Sequence, residues 1–517
     1  MNFPKFEARS LARRLNDWPF LGRCAAVWLG ALMLSWPAFY NGFPLLYPDS
    51  MTYIGDGRVV ARALFLHQFS DYYGVRSFFY SLGILPLHWN ITLWPVVALQ
   101  CLMGAWVIWL VARSQAPRHT VAHYLILVLF LSLLSSASWY ACFIMPDILG
   151  PLLYLSIYLL VFARETLSRA ERLALYLIAI WGITSHATHL LLAAGLWTLL
   201  ALFAAFKRKP ILSCLRALGK VAAILAVAAA AQMMLHGYLY GKPSLNGERP
   251  PYLMARIIAD GPGRWYLQQH CQQLQWAVCN HLSQLSDDPD EFLWGANGVY
   301  QSSSDEERAH IDQEEMPLVL ATVRAYPRQQ LSRSAANFRE QFLNFGLYGF
   351  DSNDWMLGQF DEVLPKARSS YLRSQQARDA LPLDLLTDIQ WWTIVGSLAA
   401  IATLLPFLWR RHSPRLAGLS FVVVSMIIAN AWVTGALSVV DDRYGCRVIW
   451  MIPLLAGIFF LDWLQQRGDR NKECRPAAEK ALKQERPPIA SRMGSVQEAL
   501  AASWGLTRSR SSLEGLK

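Results

Sequence analysis

The sequence predicts an all-α polytopic membrane protein of about ten transmembrane helices, with a large and mainly helical extracytoplasmic insert. Three observations carry that expectation. Of the 517 residues, 54% are hydrophobic and only 16% charged, where a soluble globular chain has about 25% charged residues. Apolar runs of roughly 17 to 22 residues recur along the chain, each long enough for about 30 Å of hydrocarbon. Arginines and lysines gather in alternate loops, as they do when a chain crosses a bilayer repeatedly. The formal net charge of +10 therefore points to membrane lipids as partners, and nucleic acid is not expected.

Residues 23–40, 91–111, 121–138, 148–163, 216–235, 389–409, 416–436 and 447–464 read as single spans. The stretch 173–206 is apolar but interrupted by SHATH at 185–189. As one helix it would be about 51 Å long, too long for one crossing. Arg164, Arg169 and Arg172 precede it, and Lys207, Arg208, Lys209, Arg216 and Lys220 follow. Both ends are then cytoplasmic, the number of crossings is even, and two short helices meet at SHATH. The same parity makes 77–89 an interfacial or re-entrant piece. Arg9, Arg13, Arg14 and Arg23 place the N-terminus inside, and Arg113 with Arg118 place the next short loop inside. Arg410, Arg411 and Arg415 complete a ten-span scheme with both termini cytoplasmic, in a bacterial-type inner membrane. The first span reads as a retained anchor, because WPAFYNG is a poor cleavage site.

The chain thus divides into a transmembrane region, 1–235, with a first outer loop at 41–90; an insert at 236–388; a second transmembrane region, 389–465; and a basic tail, 466–517, expected to be disordered. The insert carries apolar residues at helical spacing, with Pro327 as a break. It also holds Cys271 and Cys279. On an oxidising side these are expected to pair, against two buried free thiols, with pairings to Cys142 and Cys446 open. No paired internal repeat is legible.

Carboxylates collect where the helix ends of the outer side converge: Asp49, Asp56 and Asp71 in the first loop, Asp147 before the fourth span, Asp441 and Asp442 in the last turn. Ionisable groups near membrane depth are costly and usually functional. Each also has a plain structural role open to it. Asp49 and Asp147 each follow a proline and suit a helix cap, and Asp441 and Asp442 can pair with Arg443 and Arg447. Arg58 and Arg62, four apart, share a face of a helix that lays Val59, Ala63 and Leu66 toward the membrane. With Arg76, Arg443 and Arg447 they offer guanidinium groups suited to phosphate, or to snorkelling toward lipid. His186 and His189, three apart, allow a metal or phosphate site, or hydrogen bonding within a turn.

The loop LLYPDSMTYI with Asp49, then IMPDILGP with Asp147 and DDRYGCRVIW in the last turn, resembles the layout of the GT-C glycosyltransferases over about 1–235 and 389–465. In two respects the chain departs from it: the first loop lacks an adjacent Asp–Glu pair, and the large soluble part is internal. The resemblance implies a sugar donor linked to polyprenyl phosphate or pyrophosphate and an envelope glycan, lipid or protein acceptor. It implies Asp49 as general base with Asp147 as the second catalytic carboxylate. Arg76, Arg443 and Arg447 are then the phosphate candidates, and the residue chemistry adds Arg58, Arg62, His186, His189, Asp441 and Asp442 as candidates for substrate binding. The resemblance admits a divalent metal without naming its ligands. A non-catalytic assembly subunit and a transporter of lipid-linked saccharides are the rival classes.

Overall fold

The computed structural model describes residues 19–70, 74–115, 121–206, 211–351, 354–409 and 413–484. Asp71, the basic residues 207–209, 410 and 411, Arg118 and the N-terminal arginines before Arg23 lie outside them. The described chain is helical throughout, with an isolated parallel bridge between Leu45 and Phe143. The first region holds α1 (Pro19–Leu34), α2 (Pro48–Leu66), α3 (Phe78–His88), α4 (Trp94–Gln115), α5 (Val121–Leu134), α6 (Leu149–Phe162), α7 (Arg169–Thr184), α8 (Ala187–Phe206) and α9 (Ile211–Tyr240). The insert contributes α10 (Tyr252–Ala259), α11 (Pro262–Leu274), α12 (Asp305–Ala325) and α13 (Pro327–Leu343). The chain closes with α14 (Leu383–Trp409), α15 (Pro414–Leu437), α16 (Asp442–Ile449) and α17 (Met451–Gln484).

Among the described residues, six stretches are long and apolar enough to cross a membrane: α4, α8, α9, α14, α15, and α16 running into α17. This is a helical membrane protein. The other expected spans are helices too, but shorter or interrupted. The apolar stretch 173–206 breaks between Thr184 and Ala187, giving α7 and α8, which pack on each other. Ile and Leu side chains of α14 and α5 remain exposed, as on a surface that faces hydrocarbon. Only 17% of the most apolar window of α14 is buried, against 78% for α16–α17. The first is thus peripheral and the second central.

One end of the bundle is tied by charge. Arg113 donates to both carboxylate oxygens of Glu171 at 2.8 and 3.0 Å, and Arg415 pairs with Glu165 at 2.7 Å. Ser168 and Glu171 form a reciprocal capping box that starts α7 there. The opposite end carries α2, α3, the insert and the converging helix termini.

Within the insert, Met254, Ile258, Leu267, Val278, Phe292, Ile311 and Leu318 make a core of their own. The break between α12 and α13 falls at Pro327. Cys271 and Cys279 are joined as a disulfide, while Cys142 and Cys446 are buried free thiols. The insert is docked through α13, which lies along α15. Gly435 permits the approach: a Cβ there would stand 2.7 Å from the Asn337 carbonyl oxygen.

Two expectations change. Ala63 packs inward with Val60, Phe78, Leu235 and Leu239, not toward the membrane. Phe65 and Leu66 are the exposed large apolar residues of α2, at 77% and 60%. The last helix continues to Gln484, where disorder was expected from 466. Its AAEKALKQ segment is built of strong helix formers, so local propensity carries the helix past the apolar run. The chain divides into two compact units, Met1–Asp462 and Trp463–Lys517, and the described part of the second is the end of this helix.

A short internal repeat is also present, against the expectation of none. α1 ends at Ser35, whose hydroxyl donates back to the Leu32 carbonyl, and a short helix Trp36–Asn41 follows. α5 ends at Ser135, whose hydroxyl donates to the Leu131 carbonyl, and Ala137–Ala141 follows. The two chains then run side by side: Leu45 N–H donates to Cys142 O at 3.1 Å and Ile144 N–H to Leu45 O at 3.0 Å. From the bridged pair Leu45 and Phe143, each chain reaches Pro–Asp after the same number of residues, Pro48–Asp49 and Pro146–Asp147. The repeat lives in backbone path and serine back-bonding, with little residue identity beyond Pro–Asp, which is why the sequence hides it.

Candidate functional site

Both copies of the Pro–Asp turn deliver a carboxylate to the same place. Pro48 opens α2 at its first position, where a missing N–H costs nothing. The cap of α2 is made by Tyr47 and Ser50, the Ser50 hydroxyl accepting the Tyr47 N–H at 3.0 Å. Asp49 is therefore free of capping duty. It accepts a hydrogen bond from Arg76 Nη2 at 2.5 Å, and its other oxygen lies 3.9 Å from Arg443 Nη1. Asp147, in a 3₁₀ turn Pro146–Ile148, makes no cap bond either. Its Oδ1 lies 3.5 Å from Arg447 Nη1, with both side chains at most 1% exposed. The capping reading of both aspartates is thus replaced by ion pairing.

Both arginines come from α16, one helical turn apart, and so reach neighbouring carboxylates on the same face. Asp441 and Asp442 do not pair with their side chains, as the sequence suggested. Asp441 caps α16 by accepting the Arg443 N–H at 2.8 Å, and Asp442 accepts the same N–H at 2.8 Å and the Tyr348 N–H at 3.0 Å. Two carboxylates at a helix N-terminus sit favourably in the dipole, and they leave the guanidinium groups to point inward. Arg443 is stacked over Tyr47 and Tyr444, 4.3 and 4.8 Å from the ring centres. Arg447 donates twice to Asn430 Oδ1, at 3.0 and 2.8 Å.

The histidines join the floor of this cluster. His189 is buried; its Nδ1–H donates to the Gly182 carbonyl at 2.8 Å, which leaves Nε2 as an acceptor with no protein partner. His186 Nδ1 accepts the Thr188 N–H and so caps the start of α8. Their rings are 5.1 Å apart, yet each Nδ1 is committed to local backbone. Among the described residues no three His, Cys, Asp or Glu side chains gather to hold a metal ion.

Arg58 and Arg62 are not brought in: both are exposed on α2. Asp56 stands on the same helix, where burial pushes its carboxyl up to about 7, opposed by a Gly74 backbone bond and by Arg76. A Cβ at Gly74 would overlap this carboxylate, so any larger residue there would push the Asp56 side chain aside.

The insert supplies residues that sequence reasoning missed. Arg76 donates from Nη1 to the Tyr252 hydroxyl at 3.3 Å and lies 5.9 Å from the Trp294 ring centre. Gln341 of α13 holds the backbone of Asp441 at both its N–H and C=O. Asn430 carried a readable signal, an amide within an apolar span; Tyr252, Trp294 and Gln341 carried none. Several buried polar atoms here make no hydrogen bond among the described residues: both oxygens of Asp147, Nη1 of Arg447, Nε and Nη1 of Arg443, and Nε2 of His189. Such groups are costly unless something polar meets them. The arrangement is a buried cationic floor beneath a partly exposed carboxylate, Asp49, which suits a polar anionic group brought beside an ionised base.

An open depression of about 620 Å³ beside the disulfide, lined by Trp276, His310 and Glu314 among others, lies within the insert and holds none of these charges. Compared with known proteins, the chain matches no family model, no curated protein and no solved structure.

Proposed function

We propose that this protein is a membrane glycosyltransferase that moves a sugar from a polyprenyl-linked phosphate donor to an envelope glycan, lipid or protein acceptor. The observation that carries the reading is Asp49, held between Arg76 and Arg443 with Arg447 one turn deeper. Asp49 takes the proton of the acceptor hydroxyl as that oxygen bonds to the sugar C1. The C1–O bond to phosphate breaks, its electron pair goes to the phosphate oxygen, and the guanidinium groups stabilise the developing charge. Asp147 holds Arg447 in place beneath the phosphate.

The topology that goes with this is ten crossings, the cluster and insert on the extracytoplasmic side of a bacterial-type inner membrane, and both termini cytoplasmic. The Arg113, Arg164, Arg169, Arg172 and Arg415 end of the bundle is then the cytoplasmic one, as the positive-inside rule requires. A lipid-linked substrate presents its head group at the level of Asp49.

The paired Pro–Asp limbs favour a second reading, because transporters are commonly built from internal repeats. The repeat spans only one helix, one turn and one carboxylate in each copy. The test is mass analysis of envelope glycans and lipids from a deletion strain, complemented with the parent or with Asp49→Asn. Transfer predicts loss of one sugar from an acceptor, restored by the parent alone. Transport predicts an intact but unexported lipid-linked saccharide, and that outcome would overturn the enzyme.

A further inference from the structure

Beside Tyr252 and Gln341, the insert brings the short helix Pro289–Trp294 to the candidate site. Its inner face is fixed: Pro289, Phe292 and Leu293 are buried, the last two in the core of the insert. Its start is capped by Asp288, which accepts the Asp290 N–H at 2.8 Å. Asp290 and Trp294, four apart, therefore share the outer face, and that face looks at the cluster. Trp294 lies against Arg76 and its ring is 6.4 Å from that of Tyr252.

The chemistry of this face is specific. Trp294 is 41% exposed, so one side of a large apolar ring meets solvent directly beside the Asp49–Arg76 pair. The Asp290 side chain has no hydrogen-bond or ion-pair partner among the described residues. It is accessible, yet enough protein surrounds it to raise its carboxyl to about 6, with Asp288, Asp441 and Asp49 adding to burial. An indole plane flanked by a carboxylate and a tyrosine hydroxyl matches a pyranose, which has an apolar C–H face and a rim of hydroxyls. A lipid tail would use the indole and leave the carboxylate opposed.

We propose that Trp294, Asp290 and Tyr252 form the acceptor subsite: Trp294 stacks on a saccharide ring, and Asp290 and Tyr252 hold its hydroxyls so that one is turned toward Asp49. This rests on the transferase reading and adds to it the acceptor class, a saccharide in place of a protein or a bare lipid.

The test uses the full chain in lipid nanodiscs and two probes. Methyl glycosides of glucose, galactose, mannose and N-acetylglucosamine report the acceptor side by saturation-transfer NMR. Farnesyl phosphate reports the donor side by thermal shift. At least one glycoside is expected to bind the parent and to weaken about tenfold in Trp294→Ala, as the loss of a stacked ring implies. Trp294→Phe should retain most of that binding, and Asp290→Asn should weaken it without changing the farnesyl phosphate shift. Glycosides that fail to bind the parent, or that ignore both Trp294 variants, overturn the subsite. Farnesyl phosphate without effect on the parent, beside glycoside binding that depends on Trp294, would instead remove the donor reading and leave the saccharide subsite standing.

Discussion

Asp147 and Arg447 face each other at 3.5 Å with almost no solvent contact, on chain segments 300 residues apart. A buried pair of this kind is not a large net source of stability, but removing one partner strands the other charge. Asp49 and Arg443, next to them, are wetter and more widely spaced. The two pairs therefore predict different phenotypes.

For the dry pair the expectation is loss of fold. Asp147→Ala leaves the buried Arg447 without its carboxylate and should destabilise by about 3–5 kcal/mol, seen as a lower melting temperature and poor yield in detergent. Replacing both, Asp147→Leu with Arg447→Met, should recover a large part of that loss. A double variant as unstable as Asp147→Ala would show that the pair itself is not the cause.

For the wet pair the expectation is loss of function with little loss of fold. Asp49→Asn keeps shape and can still accept from Arg76, so stability should fall by no more than about 1 kcal/mol. Transfer should drop by about 10²-fold or more, because an amide cannot take the acceptor proton. Full activity in the Asn variant would end the case for Asp49.

Asp56 gives a pH signature. Its carboxyl is raised to about 7 from an ordinary 3.8 by burial. Between those values the folded chain holds a proton that the unfolded chain has released. Stability from this group is thus present at low pH and is lost as pH rises toward 7. Asp56→Asn, which mimics the neutral form, should melt close to the parent at pH 4 and clearly above it at pH 8. A melting difference independent of pH would count against the assignment.

Topology is checked by labelling single cysteines in intact cells with an impermeant reagent. A cysteine at Gln301, exposed in the insert, should be modified. One at Glu165, 60% exposed at the other end of the bundle, should be modified only after the membrane is opened. Equal labelling of both in intact cells would place the two ends on one side and break the ten-crossing scheme.

Much of the candidate site was legible because ionisable residues are rare in apolar sequence and stand out wherever they occur. Asp49, Asp147, Arg76, Arg443, Arg447, His186 and His189 were all visible on that ground, and the structure brings them together. The roles of the pairs were not legible. Asp441 and Asp442 adjoin Arg443 in sequence, and adjacency suggested pairing; the start of α16 instead turns their oxygens to the Arg443 N–H and frees its guanidinium. Arg58 and Arg62 looked equally suitable, but α2 leaves them outside, since helical spacing gives a shared face without saying what it meets.

What the sequence alone determined is what depends on local composition and length. Apolar runs, basic loops and an over-long stretch broken at SHATH fix a helical membrane protein, the split between α7 and α8, and the helical insert. What only the tertiary structure decided is which distant groups meet. The bridge of Leu45 with Phe143 sets two Pro–Asp turns in register, the crossing of α13 over Gly435 docks the insert, and Trp294 thereby reaches Arg76. Those contacts join residues separated by tens to hundreds of positions. They arise from close packing and buried charge pairing, and neither leaves a periodic trace along the chain.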